Sequence, residues 1–91
     1  MWYIYILKCR DGSYYIGRTN TLQQRIERHN KARAAKWTSD KLPVRLVYQE
    51  KYEFEDEAIR RERQIKRWSR KKKQALIAGD FKLLKALSKS K

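Results

Sequence analysis

Trp2 to Leu7 reads Trp-Tyr-Ile-Tyr-Ile-Leu, a short run that is apolar in both of its alternating positions. β-branched and aromatic side chains favour pleated backbone, and a strand with no polar face belongs in the middle of a sheet. The rest of the chain must therefore supply its neighbours. Asp11-Gly12 is a hairpin-turn dipeptide, and Ser13 to Gly17 (Ser-Tyr-Tyr-Ile-Gly) reads as the return strand, paired antiparallel with the first. Pro43 opens a third strand, Val44 to Tyr52. In it Val44, Leu46 and Tyr48 alternate against Arg45, Val47 and Gln49.

Helices fill the remainder. Thr21 and Gln24 fit a capping box, which starts a helix at Leu22 that runs to about Lys31, with Leu22 and Ile26 as its apolar stripe. Residues Lys31 to Leu42 show no period and read as a basic loop anchored by Trp37. Glu55 and Asp56 suit the positive end of a second helix, whose buried stripe is Ala58, Ile59, Ile65 and Trp68. Ser69 caps a third helix from Arg70 to about Ala78, and Gly79 ends it. Asp80 caps a fourth, with Phe81, Leu84 and Leu87 turned inward. The order is β-β-α-β-α-α-α. This is an α+β arrangement, a small three-stranded antiparallel sheet flanked by helices, read as a single domain over residues 1–91.

Lys and Arg number 24 against 10 acidic residues, a net charge of +14. Such a surface suits polyanions, nucleic acid first. Cys9 is the sole cysteine, which excludes an internal disulfide and fits a reducing cytosol. It reads as a small apolar residue near a strand end. With one Cys and one His the chain cannot make a structural zinc site. No apolar run could span a bilayer and no signal-peptide pattern is present, so the expected location is cytoplasmic, away from membranes.

The informative residues are the polar ones on apolar faces. Arg25 and His29 are four apart on the first helix and border its inward stripe. Glu62 is four after Ala58 and three before Ile65, which puts a carboxylate on the buried stripe of the second helix. A lone buried charge is costly, so a cleft, an ion pair or a metal must accompany it. One reading is a structural Arg25–Glu62 pair across two packed helices. Tyr3, Tyr5, Tyr14 and Tyr15 suit any hairpin, and His29 alone suits a helix end.

The combination is more specific. Tyr3-Ile4-Tyr5, then Tyr15-Ile16-Gly17, with Arg25 eight beyond the glycine, His29-Asn30 at the helix end and Glu62 on a later helix, resembles the GIY-YIG nuclease signature. Tyr3 stands where the family's name has glycine. The resemblance runs from Trp2 to about Leu76 and is nearest to small standalone UPF0213-type members, related to the excinuclease C nuclease domain.

This resemblance implies a GIY-YIG endonuclease-like fold and metal-dependent hydrolysis of phosphodiester bonds in DNA, with repair or recombination structures as substrates. It implies Tyr5 and Tyr15 facing each other across the hairpin, Tyr5 serving as general base or orienting the attacking water. Gly17 lets the backbone pass close to the active site. By the same resemblance Arg25 would contact the scissile phosphate, His29 lies one helical turn on, and Glu62 would hold one Mg²⁺ (or Mn²⁺). The chemistry is consistent. A guanidinium matches phosphate with parallel donors. A hard ion held by one carboxylate and waters suits Mg²⁺. A tyrosine needs nearby positive charge to act as a base at neutral pH. Lys31, Arg33, Lys36, Lys66, Arg67, Arg70 and Lys71, with Lys72 and Lys73, form the expected nucleic-acid-binding surface, where Trp37 could stack on bases while Trp68 reads as core. A monomer is expected, with a partner protein supplying specificity left open. The competing readings are a nucleic-acid-binding accessory with little or no cleavage activity, and a basic structural protein of the ribosome or nucleoid. The polar set argues against the latter.

Overall fold

The computed structural model describes residues 1–31 and 43–89, leaving aside the side chains of His29, Asn30, Lys31 and Lys89. The elements are β1 (Trp2–Lys8), β2 (Tyr14–Thr19), α1 (Leu22–Lys31), β3 (Arg45–Tyr52), α2 (Glu55–Lys66), α3 (Arg70–Ala78) and α4 (Phe81–Lys89). The sheet order is β2-β1-β3 and both pairings are antiparallel. The strand that lacks a polar face is thus the central one, and the α+β order read from the sequence is the one observed.

The β1–β2 turn follows from its residues. Gly12 has a φ of 88°, in the left-handed region that glycine adopts without steric penalty. The Gly12 N–H donates to the Cys9 carbonyl at 2.9 Å, and Asp11 Oδ1 accepts from the Ser13 N–H at 3.0 Å. β2 extends past Gly17 to Thr19, which is buried.

Two apolar clusters lie on opposite sides of the sheet. Ile4, Ile6 and Ile16 pack with Ala58, Ile65 and Leu76, so α2 and α3 cover that face. Tyr5, Leu7, Cys9 and Val44 pack with Tyr15, Leu22, Ile26 and Leu46, which puts α1 on the other. The alternation expected of the third strand does not persist. Ile6 pairs with Tyr48 but Leu7 pairs with Leu46, so Val47 is an extra residue, a β-bulge. Val44 and Leu46 therefore face α1, whereas Tyr48 joins the cluster under α2 and α3.

The helix boundaries agree with their capping residues. Thr21 precedes α1 and its carbonyl accepts from the Arg25 N–H at 2.9 Å, but its hydroxyl meets that of Thr19 at 3.2 Å, and the capping-box bonds expected between Thr21 and Gln24 are not made among the described residues. The Glu57 carboxylate accepts from the Phe54 N–H at 3.2 Å at the start of α2. Ser69 Oγ accepts from the Lys72 N–H at 3.3 Å, and Gly79, at a φ of 73°, closes α3. Asp80 accepts from the Leu83 N–H at 3.1 Å. Leu84 packs against the core as expected, but Phe81 is 66% exposed. It is the first residue of α4, at the corner after Gly79, where the core ends.

α2 is fixed against β3 by a charged cluster. Arg61 donates from Nε and a terminal nitrogen to both oxygens of Glu50, each at 2.9 Å. The Tyr52 hydroxyl donates to Glu50 at 2.5 Å, and the Tyr48 hydroxyl donates to it as well. Burial pushes the Glu50 carboxyl up, but the hydrogen bonds from Arg61, Tyr48 and Tyr52 outweigh this and hold it below the usual carboxylate range. Burial and the Glu50 carboxylate push the Tyr52 phenol up to about 12. The Arg61 guanidinium also lies over the Trp68 ring at 5.1 Å. Trp68 is half-buried and packs against the core, in agreement with its reading as a core residue.

A carboxyl whose folded-state pKa is depressed stabilises the fold fully above its ordinary value of 4.5, and that stabilisation fades as pH falls through the folded-state value. Glu50→Ala should cost about 3 kcal/mol in urea unfolding at pH 7, because Arg61 loses its partner. The difference between wild type and variant should shrink as the pH is lowered towards 3 (about a unit below the usual carboxylate range). A constant difference between neutral and acid pH would contradict this.

Candidate active site

Register places Tyr5 directly opposite Gly17. The Tyr5 ring lies across the glycine: a Cβ there would sit 2.5 Å from the phenol oxygen and 2.6 Å from the carbon bearing it. Real Cβ atoms do not approach so closely, so any other residue at this position would displace the tyrosine. Tyr15, two residues before Gly17, shares its face of β2 and stacks with Tyr5 at a centroid distance of 6.2 Å and an interplanar angle of 29°.

Arg18 follows Gly17, so it points to the other face of the sheet. There it donates to Glu62 Oε1 at 2.7 Å and lies 3.5 Å from Glu55 Oε2. The Lys66 ammonium, one turn further along α2, reaches Glu62 Oε2 at 2.7 Å. The Glu62 side chain is 9% exposed. Both of its oxygens are thus held by cations, one from each side.

β2 is an edge strand, and a cleft wraps over it. Tyr5, Tyr15, Gly17, Arg25 and Glu62 all line one cavity of about 320 Å³, whose wall is completed by Trp2, Arg18 and Glu55. The tyrosines and Arg25 approach from the α1 side of the sheet, Arg18 and the two carboxylates from the α2 side. This geometry corrects the Arg25–Glu62 pairing considered from the sequence. The two helices cover opposite faces, so Glu62 takes Arg18 and Lys66 instead. Among the described residues no carboxylate pairs with Arg25, and its guanidinium is left to the cleft.

Burial pushes the Glu62 carboxyl up, but hydrogen bonds from Lys66 and Arg18 prevail and hold it below the usual carboxylate range, ionised at neutral pH. Tyr5 moves the other way. Burial first, then Tyr15 and Glu62, push its phenol well above the ordinary value of 10.0, while Arg25 pulls against them and is outweighed. Tyr5 is therefore a protonated phenol at neutral pH.

His29 belongs to α1 but its side chain lies outside the described residues, as do the side chain of Lys31 and the whole of Arg33, Lys36 and Trp37. Of the remaining basic residues, Lys66 contacts Glu62 of the cleft wall, and Arg67 and Lys71 are exposed. Arg70 braces the fold. Its guanidinium lies over the Tyr14 ring at 4.6 Å and donates to the Gly12 carbonyl at 2.8 Å, holding the hairpin turn against α3. The Lys72 ammonium sits over Trp68 at 4.5 Å. Arg18, the place of Glu55 in the cleft wall and the contact of Lys66 with Glu62 were not picked out from the sequence. The alternation of β2 and the four-residue spacing of Glu62 and Lys66 were the available signals.

The GIY-YIG catalytic domain family matches residues 1–75, the segment that carries the whole cleft. The chain belongs to the GIY-YIG family. Within that family it is 49% identical over 76 residues to the UPF0213 protein SSP2268 of Staphylococcus saprophyticus, covering 84% of this chain and 93% of that one. It is 48% identical over 75 residues to the UPF0213 protein SA0446 of Staphylococcus aureus, covering 82% and 92%. Among solved structures it is similar to the UPF0213 protein BH0048 of Bacillus halodurans, with a TM-score of 0.57, 40% identity and coverage of 86% of this chain and 84% of that one. It also resembles the E. faecalis protein EF2693, with a TM-score of 0.61, 34% identity and coverage of 87% and 84%. A GIY-YIG domain points to a nuclease-type function. No helix among the described residues is long and apolar enough to cross a membrane.

Gly17→Ala in this GIY-YIG domain should destabilise by about 1–3 kcal/mol, the usual range for inserting a methyl group where no space exists. Near-ultraviolet circular dichroism should report a changed tyrosine environment. An unaltered spectrum and melting curve would show that the Tyr5–Gly17 contact is dispensable.

Proposed function

We propose that this GIY-YIG domain is a metal-dependent endonuclease that hydrolyses phosphodiester bonds, with DNA the favoured substrate. The observation that supports this best is the Arg25 guanidinium, which has no carboxylate partner among the described residues yet shares a cleft with two tyrosines and an ionised glutamate. A guanidinium in such a place is a receptor for an anion, and its parallel donors suit two phosphate oxygens.

Hydrolysis builds negative charge on a five-coordinate phosphorus. Arg25 would hold the scissile phosphate and neutralise part of that charge. Tyr5, protonated by virtue of its burial, would orient the attacking water through its hydroxyl rather than remove its proton. Tyr15, stacked on Tyr5, would keep the phenol in place. His29, four residues after Arg25 on α1, is proposed as a further catalytic residue on the family resemblance alone.

The donor set fits a magnesium-like ion. No group of three or more His, Cys, Asp or Glu converges among the described residues, so the proposed ion would take most of its ligands from water and substrate. Glu62 offers one ionised carboxylate, with Glu55 in the same wall. Mg²⁺ is commonly held by one or two carboxylates, waters and substrate phosphate. Such an ion, when bound, would polarise the phosphate or stabilise the leaving oxygen.

A second reading, a nucleic-acid-binding accessory with little cleavage, is favoured by the occupation of both Glu62 oxygens by cations. Cleavage assays on duplex, flap, junction and single-stranded DNA with Mg²⁺ or Mn²⁺ separate the two. Arg25→Ala should lower cutting by at least about 100-fold, the scale of losing one transition-state donor. Its binding and its melting temperature should change little. Cutting that survives Glu62→Gln unchanged would point to a contaminant, and binding without cutting under every condition would favour the accessory role.

Affinity for DNA should fall steeply with salt, because each phosphate contact releases counterions. Fluorescence anisotropy between about 50 and 200 mM salt, the range over which several phosphate contacts become evident, would measure this. A flat response would rule out an electrostatic docking surface.

A further inference from the structure

Glu62 Oε2 is held by a lysine from its own helix, and this contact is chemically unlike the one on Oε1. Arg18 belongs to the sheet: it is anchored by the pairing of β2 with Ile4 of β1 and reaches two carboxylates. Lys66 reaches Oε2 at 2.7 Å across one helical turn, and its side chain is 54% exposed. The lysine end of this i,i+4 pair is half in water, so its stem has room to swing away into solvent, whereas Arg18 is fixed by the sheet. The carboxylate beneath it is buried and ionised.

We infer that Lys66 is an internal competitor for the cation site: its ammonium occupies Glu62 Oε2 until a divalent ion displaces it. Arg18 stays on Oε1, so the carboxylate keeps its position during the exchange. The displaced ammonium remains tethered within a side-chain length of the cleft, where it adds a positive charge for a nucleic-acid phosphate. The buried carboxylate is therefore compensated in both states, and the site is set to bind its ion weakly when no polyanion is present. This rests on the proposed metal role of Glu62 and specifies which group yields to the metal.

Direct Mn²⁺ titration, followed by water-proton relaxation without nucleic acid, tests the inference on the full chain. Lys66→Met removes the competitor and its repulsion of a divalent ion, and should tighten Mn²⁺ binding about tenfold, from Coulomb repulsion across a few ångströms of watery surface. Lys66→Arg keeps the charge and should leave the affinity within about twofold of wild type. In wild type, Mg²⁺ should shift the Lys66 ε-methylene NMR signals, a response a purely structural lysine would not give. Wild-type affinity in Lys66→Met, with binding still lost in Glu62→Gln, would overturn the competition and leave the metal reading standing. Binding indifferent to Glu62→Gln would overturn both.

Discussion

A carboxylate on the buried stripe of a helix is the constraint around which the rest of this protein is arranged. Ala58 and Ile65 press the same face of α2 onto the sheet, so Glu62 cannot turn to solvent without unpacking them. It must be charged and compensated, or protonated. The chain compensates it with Arg18, available because β2 continues past Gly17 and because that strand is an edge, and with Lys66. The same edge leaves room for a cleft. A glycine at the point where Tyr5 crosses β2 lets the buried phenol form part of the cleft wall, and α1 brings Arg25.

The two glutamates of the α2–sheet junction show how context separates structural from chemical groups. Glu50 accepts from three side chains, two of them tyrosines that are themselves half-buried, and it lies inside a closed network. Among the described residues Glu62 has only cations as its partners, one of which is half in water. Both carboxyls are held below the ordinary range, so depression alone does not distinguish them. Lability of the partners does. A network that cannot open fixes the angle of a helix, whereas a site that can open is able to exchange what it binds.

Much of this was legible in the sequence. The apolar run Trp2–Leu7 marked the central strand, and the Asp11-Gly12 turn marked its first neighbour. Ser69, Gly79 and Asp80 marked the later helix ends, because each residue type solves a specific backbone hydrogen-bond or dihedral problem. The position of Glu62 on a buried stripe followed from helical period alone. Its partner did not. Period places Arg25 and Glu62 each on the inner side of a helix but says nothing about which face of the sheet each helix covers. The bulge at Val47 was equally hidden, since one inserted residue inverts the facing of all that follows without altering composition. Phe81 misled because a helical stripe gives direction and not how far the core extends.

The edge position of β2 has a consequence for how molecules of this protein meet one another. An unpaired strand edge ordinarily invites a strand from a second copy, and sheets that grow this way end as aggregates. Here that edge is bordered on one face by Arg25 and on the other by Arg18 with its two carboxylates, in a chain of net charge +14. Two such edges approaching one another would bring their Arg25 guanidiniums, and two chains of like net charge, together before any backbone hydrogen bond could form. The side chains that make the cleft attractive to a polyanion also discourage the sheet from growing through its own active site.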